Sequence, residues 1–151
     1  MQTRTISNEE LVLEIDRLLK EGTEVIFKPK GQSMLPFIRG ERDSVLLKNP
    51  GVIKPGYIVL AKVSEKNFVL HRVEHVAGDR VVLMGDGNLV GRERCLMSDV
   101  IAVAVKIIKD DKETDCLSKK HMRRALLWKR LLPVRRYLLA IYRRVILYYN
   151  I

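Results

Sequence analysis

Apolar residues recur at helical spacing near the start of the chain. Ser7-Asn8-Glu9-Glu10 is a capping-box sequence, in which side-chain groups satisfy the first free amides of a helix. Leu11, Ile15, Leu18 and Leu19 then share one face, and Gly22 supplies a stop. From 23 to 30 the pattern turns strand-like, until Gly31-Gln32-Ser33-Met34-Leu35-Pro36 interrupts it with a tight corner. Short β-type runs follow at 44–47, 57–63, 67–76, 80–84 and 100–108. Turn residues separate them at Asn49-Pro50-Gly51, Lys54-Pro55-Gly56, Ala77-Gly78-Asp79 and Gly85-Asp86-Gly87-Asn88. Strands this short and close predict a mainly β, α+β fold: a coiled antiparallel sheet or partly closed barrel behind an N-terminal helix.

The pattern changes again at residue 110. Residues 110–118 are polar and read as a linker between a β domain over 1–109 and a tail over 119–151. On a helix, Leu127, Leu131, Val134, Leu138, Ile141 and Val145 form one stripe, widened by Trp128, Leu132, Leu139 and Ile146. Lys129, Arg130, Arg136, Arg143 and Arg144 gather opposite, with Arg135 the exception, and Pro133 kinks or divides the helix.

Charge sharpens this picture. A formal charge of +10 suggests nucleic acid until it is located. Ten of the 28 Lys and Arg residues lie in 119–151, which hold no Asp or Glu, and the other 18 match the 18 acidic residues of the chain. The body is neutral and the tail carries the charge. No apolar run in the tail reaches the roughly 18–20 residues that span a bilayer. A basic amphipathic helix of this kind suits an anionic membrane surface, with Trp128 and the tyrosines at the boundary. The expected location is therefore peripheral, on the cytoplasmic side. The alternative is that the stripe packs on the body or on a second copy, giving a homo-oligomer. Nucleic acid is disfavoured, because no recognition fold precedes the tail and its apolar face would be wasted.

Composition excludes little else. A 47% hydrophobic and 30% charged chain is not wholesale disordered. Cys95 and Cys116 lack metal-ligand spacing and read as two free thiols in a reduced compartment. The first twenty residues contain no apolar run of the kind a signal peptide needs. No cofactor and no metal are expected.

Three residues suggest chemistry. A serine needs a neighbouring base and oxyanion donors before it attacks a carbonyl. Ser33 sits in a corner able to expose its hydroxyl and present backbone N–H groups, with Gly31, Gln32 and Met34 as supports. His71 lies mid-strand in Val69-Leu70-His71-Arg72-Val73, where a rigid element holds an imidazole. Asp86, in a Gly-Asp-Gly turn, is the type of acid that orients such a ring. Singly, each is ordinary: a turn serine, a strand histidine, a turn aspartate. His75 reads as structural or exposed, Met34 as packing beneath the serine, and Lys62 as lying on the wrong strand to be the base.

Their order is what counts. The stretch from Gly31 to about Ile108 resembles the signal peptidase I group, including the related self-cleaving repressor and mutagenesis proteins. Gly31-Gln32-Ser33-Met34-Leu35-Pro36 matches that group's G-x-S-M-x-P box, where the serine is the nucleophile. Lys54-Pro55-Gly56-Tyr57-Ile58-Val59-Leu60 is similar to its P-G-D-I-V box, with Tyr57 replacing the Asp. Leu70-His71-Arg72-Val73 matches the strand carrying the base, which is a histidine in archaeal and endoplasmic-reticulum types, and Gly85-Asp86-Gly87-Asn88 resembles the G-D-x-N box. The resemblance implies a serine endopeptidase acting on an extended leader-like peptide beside a small side chain, with Ser33, His71 and Asp86 as its catalytic set. Histidine-type members carry a second Asp six residues after the first, where this chain has Arg92, and Asp99 is the nearest later acid. The family's usual N-terminal anchor is not expected from the first twenty residues. The other reading is a binding or accessory protein that keeps the fold with little or no turnover.

Overall fold

The structure, a computed structural model, describes residues 8–149. Helix α1 spans Asn8–Lys20, with Glu9 and Glu10 in its first turn and Arg17 and Lys20 in its last, matching the helix dipole. Val12, Ile15 and Leu19 are buried. Gly22, at φ 86°, ends the helix by allowing its own amide to bond Leu19 O and that of Thr23 to bond Leu18 O. Ser7, the expected cap, lies outside the described residues.

Eight strands follow: β1 (Val25–Phe27), β2 (Ser44–Lys48), β3 (Ile58–Ser64), β4 (Asn67–Ala77), β5 (Arg80–Met84), β6 (Glu93–Leu96), β7 (Val100–Lys109) and β8 (Lys112–Asp115). They form one antiparallel sheet in the order β1-β2-β7-β3-β4-β5-β6, with β8 added to β7. Register shifts in the β2/β7, β3/β4, β3/β7 and β4/β5 pairs add local twist, and the sheet curls into a half-barrel. The expected coiled antiparallel sheet with a helix before and after it is thus the observed fold.

Alternate residues of the same strands feed two separate apolar clusters, one on each face of the sheet. One joins Ile15 and Leu19 of α1 to Met34 and Ile38 of the corner and to Leu47, Ile58 and Ile107 of the sheet. The other holds Val59, Val73, Val81 and Leu83. The corner is therefore anchored in the core just after Ser33, through Met34 and Ile38.

Part of the expected linker is a strand. The β7 ladder continues through a turn at Asp110, φ 49°, into β8, whose side chains are mostly exposed. An edge strand facing water looks polar in sequence, and Lys106 pairs with Glu113 across the hairpin. Ser118 then caps helix α2 (Lys119–Arg130) by accepting from His121 N–H. Pro133 lies in a 3-10 turn at Leu132–Val134, which divides α2 from α3 (Arg135–Tyr149).

The tail helices fold back on the body. His121, Ala125, Arg135 and Leu139 are buried. Leu127, Val134, Leu138, Ile141 and Val145, from the stripe expected to be sticky, remain exposed.

Candidate functional site

The corner at Ser33 is built from short-range bonds. Leu35 N–H donates to Gln32 O, and the amides of Phe37 and Ile38 both donate to Met34 O. Gly31 adopts φ 82°, which a side chain would resist, and Gly40 packs directly on it. Met34 is buried beneath the corner while Ser33 is half-exposed above it.

The Gly85–Asn88 turn is pressed against this corner. Gly87 N–H donates to Ser33 O at 2.8 Å. A methyl group on Gly87 would lie 2.4 Å from Gln32 O, and one on Gly85 would lie 2.5 Å from Ser33 O and 3.1 Å from His71 Nε2. Both glycines are required by close approach. The point that Gly85 leaves empty is where the serine loop and the histidine ring meet.

His71 is 6% exposed and sits opposite Val59 of β3. Its Nδ1 is hydrogen-bonded to a carboxylate oxygen of Glu93. The ladder explains why. Val73 pairs with Leu83, Leu83 pairs with Glu93, and His71 shares Val73's strand face two residues away. With Glu93 on Nδ1, Nε2 is the nitrogen turned toward Gly85 and the serine loop. Among the described residues, no hydrogen bond joins Ser33 Oγ to His71.

Asp86 does not orient His71. Its carboxylate grips Arg72 through both oxygens, at 2.7 to 3.1 Å, with both side chains buried. Arg72 follows His71 on β4, so the two side chains leave the strand on opposite faces, and Asp86 follows the second of them. Arg72 also donates to Gly56 O and to His121 Nε2 and lies over the Phe37 ring. The Asp86–Arg72 pair is thus a joint between the turn, the corner and α2. Asp99 is elsewhere too: it accepts from Leu96 N–H and caps the 3-10 turn before β7.

Glu93 is the residue that sequence reading overlooked. The β6 stretch Glu93-Arg94-Cys95-Leu96 alternates half-buried and exposed. No local sequence signal marked it, because its position beside His71 depends on β6 pairing with β5. His75 is exposed, since a register shift after Val73 turns it away from His71.

A cavity of about 550 Å³ adjoins Ser33 and His71, walled by Val12 of α1, Phe27, Met34, Ile38, Leu60 and Leu70. Its lining mixes these apolar side chains with the cations Lys28 and Lys30. On the far side, Trp128 Nε1 donates to Asp86 O at 2.7 Å and Arg135 Nη1 to Asn88 O at 2.9 Å. Tyr142 reaches Pro36 O. Trp128 is therefore committed to the body instead of a membrane boundary. Lys129, Arg130, Arg136, Arg143 and Arg144 are exposed.

Cys95 and Cys116 are both free thiols, and burial pushes Cys116 up to about 12. Among the described residues no cluster of His, Cys, Asp and Glu could hold a metal ion, and no helix is long and apolar enough to cross a membrane. No protein-family model matches the chain, and no curated protein matches it either.

Proposed function

We propose that the chain is a serine endopeptidase of the signal-peptidase type, working at an anionic membrane surface. The observation that carries this is that the Ser33 loop and the His71 ring approach one point: a methyl on Gly85 would lie 2.5 Å from the Ser33 backbone oxygen and 3.1 Å from His71 Nε2, while His71 Nδ1 is bonded to Glu93. In this reading Ser33 Oγ attacks the scissile carbonyl and His71 Nε2 takes its proton, then delivers it to the leaving amine. Glu93 holds the Nδ1–H tautomer and stabilises the imidazolium, the part Asp86 was expected to play. Backbone N–H groups of the corner, Ser33's included, face the oxyanion. An extended peptide adds beside the site as a strand, its apolar side chain entering the cavity under α1.

Membrane attachment is supported by α3. Tyr137, Leu138, Ile141 and Val145 form an exposed apolar arc, and Arg136, Arg143 and Arg144 flank it without an acidic neighbour on the helix.

A second reading is a peptide-binding accessory protein without turnover. It is favoured by the missing Ser33–His71 hydrogen bond. Catalytic hydrogen bonds are often long before substrate closes the site, so the gap is compatible with the first reading as well. A serine-directed fluorophosphonate probe separates the two. Labelling of Ser33, lost in Ser33→Ala and His71→Ala, together with peptide cleavage by the intact chain, supports the peptidase. An inert Ser33 in folded protein that still binds extended peptides supports the accessory role.

A further inference from the structure

We propose that a second cavity, between β4, β5 and the tail, binds one anionic amphiphile: an apolar chain with a carboxylate or phosphate head. This does not depend on the peptidase reading. The cavity measures about 390 Å³, within the size range of small-molecule sites. Its walls are apolar side chains of Met84, Met122, Ala125, Leu126 and Leu132. Two methionines make such a wall adaptable to a flexible chain.

The polar groups around it are unbalanced. Four cations (Arg72, Arg92, Lys129 and Arg135) face two carboxylates, Glu74 and Asp86. Both carboxylates are taken: Asp86 by Arg72 and Glu74 by Arg92 at 2.8 Å. Arg135 is left over. It is 3% exposed, and among the described residues no carboxylate pairs with it. Of its five N–H donors, one bonds Asn88 O, another bonds Trp128 O, and Nε has no acceptor. The Trp128 ring face, 5.1 Å away, compensates part of the charge. Burial pulls the guanidinium below its ordinary range, outweighing the upward pull of Asp86 and Glu74.

A bound anion supplies what is absent, and the charged head of an amphiphile does so while its chain covers the methionine wall. A bare inorganic anion would leave that wall empty. A neutral chain would leave Arg135 uncompensated.

The test uses the full chain and dodecanoate, dodecyl phosphate and dodecanol, each below its micelle threshold, followed by calorimetry and by emission of Trp128, the sole tryptophan. Dodecanoate or dodecyl phosphate should bind once per chain, and dodecanol about tenfold or more weakly, since a charge-assisted hydrogen bond is lost. Arg135→Met should abolish that discrimination. Should it fail to fold, Leu126→Glu, on a half-exposed wall position, should weaken binding by a similar factor in folded protein. Leu13→Glu, on the exposed face of α1 and away from this cavity, should leave it unchanged. Binding of phosphatidylglycerol vesicles that is sensitive to Leu126→Glu, without binding of the free amphiphiles, would identify a bilayer lipid as the source and keep the proposal. Equal affinity for dodecanol, indifference to Leu126→Glu, or loss of binding in Leu13→Glu would overturn it.

Discussion

His121 ties the tail to the sheet, and acid should untie it. The ring is 2% exposed, its Nε2 accepts from Arg72 Nη1 at 3.1 Å, and its edge meets Phe37 at 5.4 Å. Burial first, then the charges of Arg72 and Arg124, hold its pKa at about 4 against the usual 6.5, with Asp115 opposing. A proton on Nε2 would remove the acceptor and set two cations in contact. The unfolded chain binds that proton from about pH 6.5 downward, and the folded chain only near pH 4. The stabilisation is therefore complete above pH 6.5 and is lost as pH falls through this window. Each pKa unit is worth about 1.4 kcal/mol, so acidification from pH 7 to about 4.5 should cost roughly 2–3 kcal/mol from this group. In a domain of this size that is roughly 5–10 °C in melting temperature. Carboxylates titrate in the same range, so the informative quantity is the difference from His121→Gln, which keeps an acceptor and cannot charge. The wild type should lose that much more stability than the variant across the window, by denaturant melts at each pH. Parallel stability–pH curves for the two proteins would refute the assignment.

Three further outcomes follow from the site and the tail. Gly85→Ala places a methyl 2.5 Å from a backbone oxygen, so it should destabilise by about 1–3 kcal/mol and displace Ser33 from His71, lowering probe labelling beyond what the melting shift explains. Glu93→Gln should fold normally but cut turnover by roughly a hundredfold or more, while Asp99→Asn should leave turnover unchanged; equal effects of the two would remove Glu93 from the mechanism. The chain should sediment with anionic vesicles at low salt and partly release near 1 M, where screening shortens the electrostatic reach from about 10 Å to about 3 Å. Dimerisation without vesicle binding would make the α3 arc a contact between copies.

The elements that stood out in the sequence were those with a strong internal pattern. Helix α1 and strands β2 to β5 and β7 lie within a residue or two of where their alternation and turn residues put them. β6 and β8 were missed because each has only four residues, half of them charged in β6 and all of them polar in β8, and owes its existence to a partner strand. Such pairing is a long-range fact that no local pattern contains. The site divides in the same way. The Ser33 corner and the His71 strand are local motifs and were legible. The acid partner was not, because it depends on which strand face His71 uses and on β6 lying beyond β5. Asp86 is nearer to the histidine in sequence and lies in a more suggestive turn, yet strand alternation delivers it to Arg72. The tail shows the complementary error. Its apolar periodicity was plain, but the face that packs on the body is the one carrying Arg135, Leu139 and Trp128. Hydrogen-bonding capacity, absent from a hydropathy pattern, decided which face turned inward.

That choice of face has a consequence for how the parts work together. Trp128 and Arg135 donate to the carbonyls of Asp86 and Asn88, and the amide between them, Gly87 N–H, donates to Ser33 O. The turn therefore faces the tail with its carbonyls and the serine loop with its amide. Arg72 closes the same circuit from the sheet, gripping Asp86 while donating to His121 of α2. A helix pair held by one apolar contact could leave without disturbing the serine. This one is held by donors that end on the turn beneath it, so a shift of α2 and α3 must either break those bonds or carry the turn along. Any contact on the exposed outer arc of α3 therefore bears on helices bonded directly to the turn that packs on the Ser33 loop. The tail is in that sense part of the site's scaffold, and its charge and its hydrogen bonds serve different faces of one element.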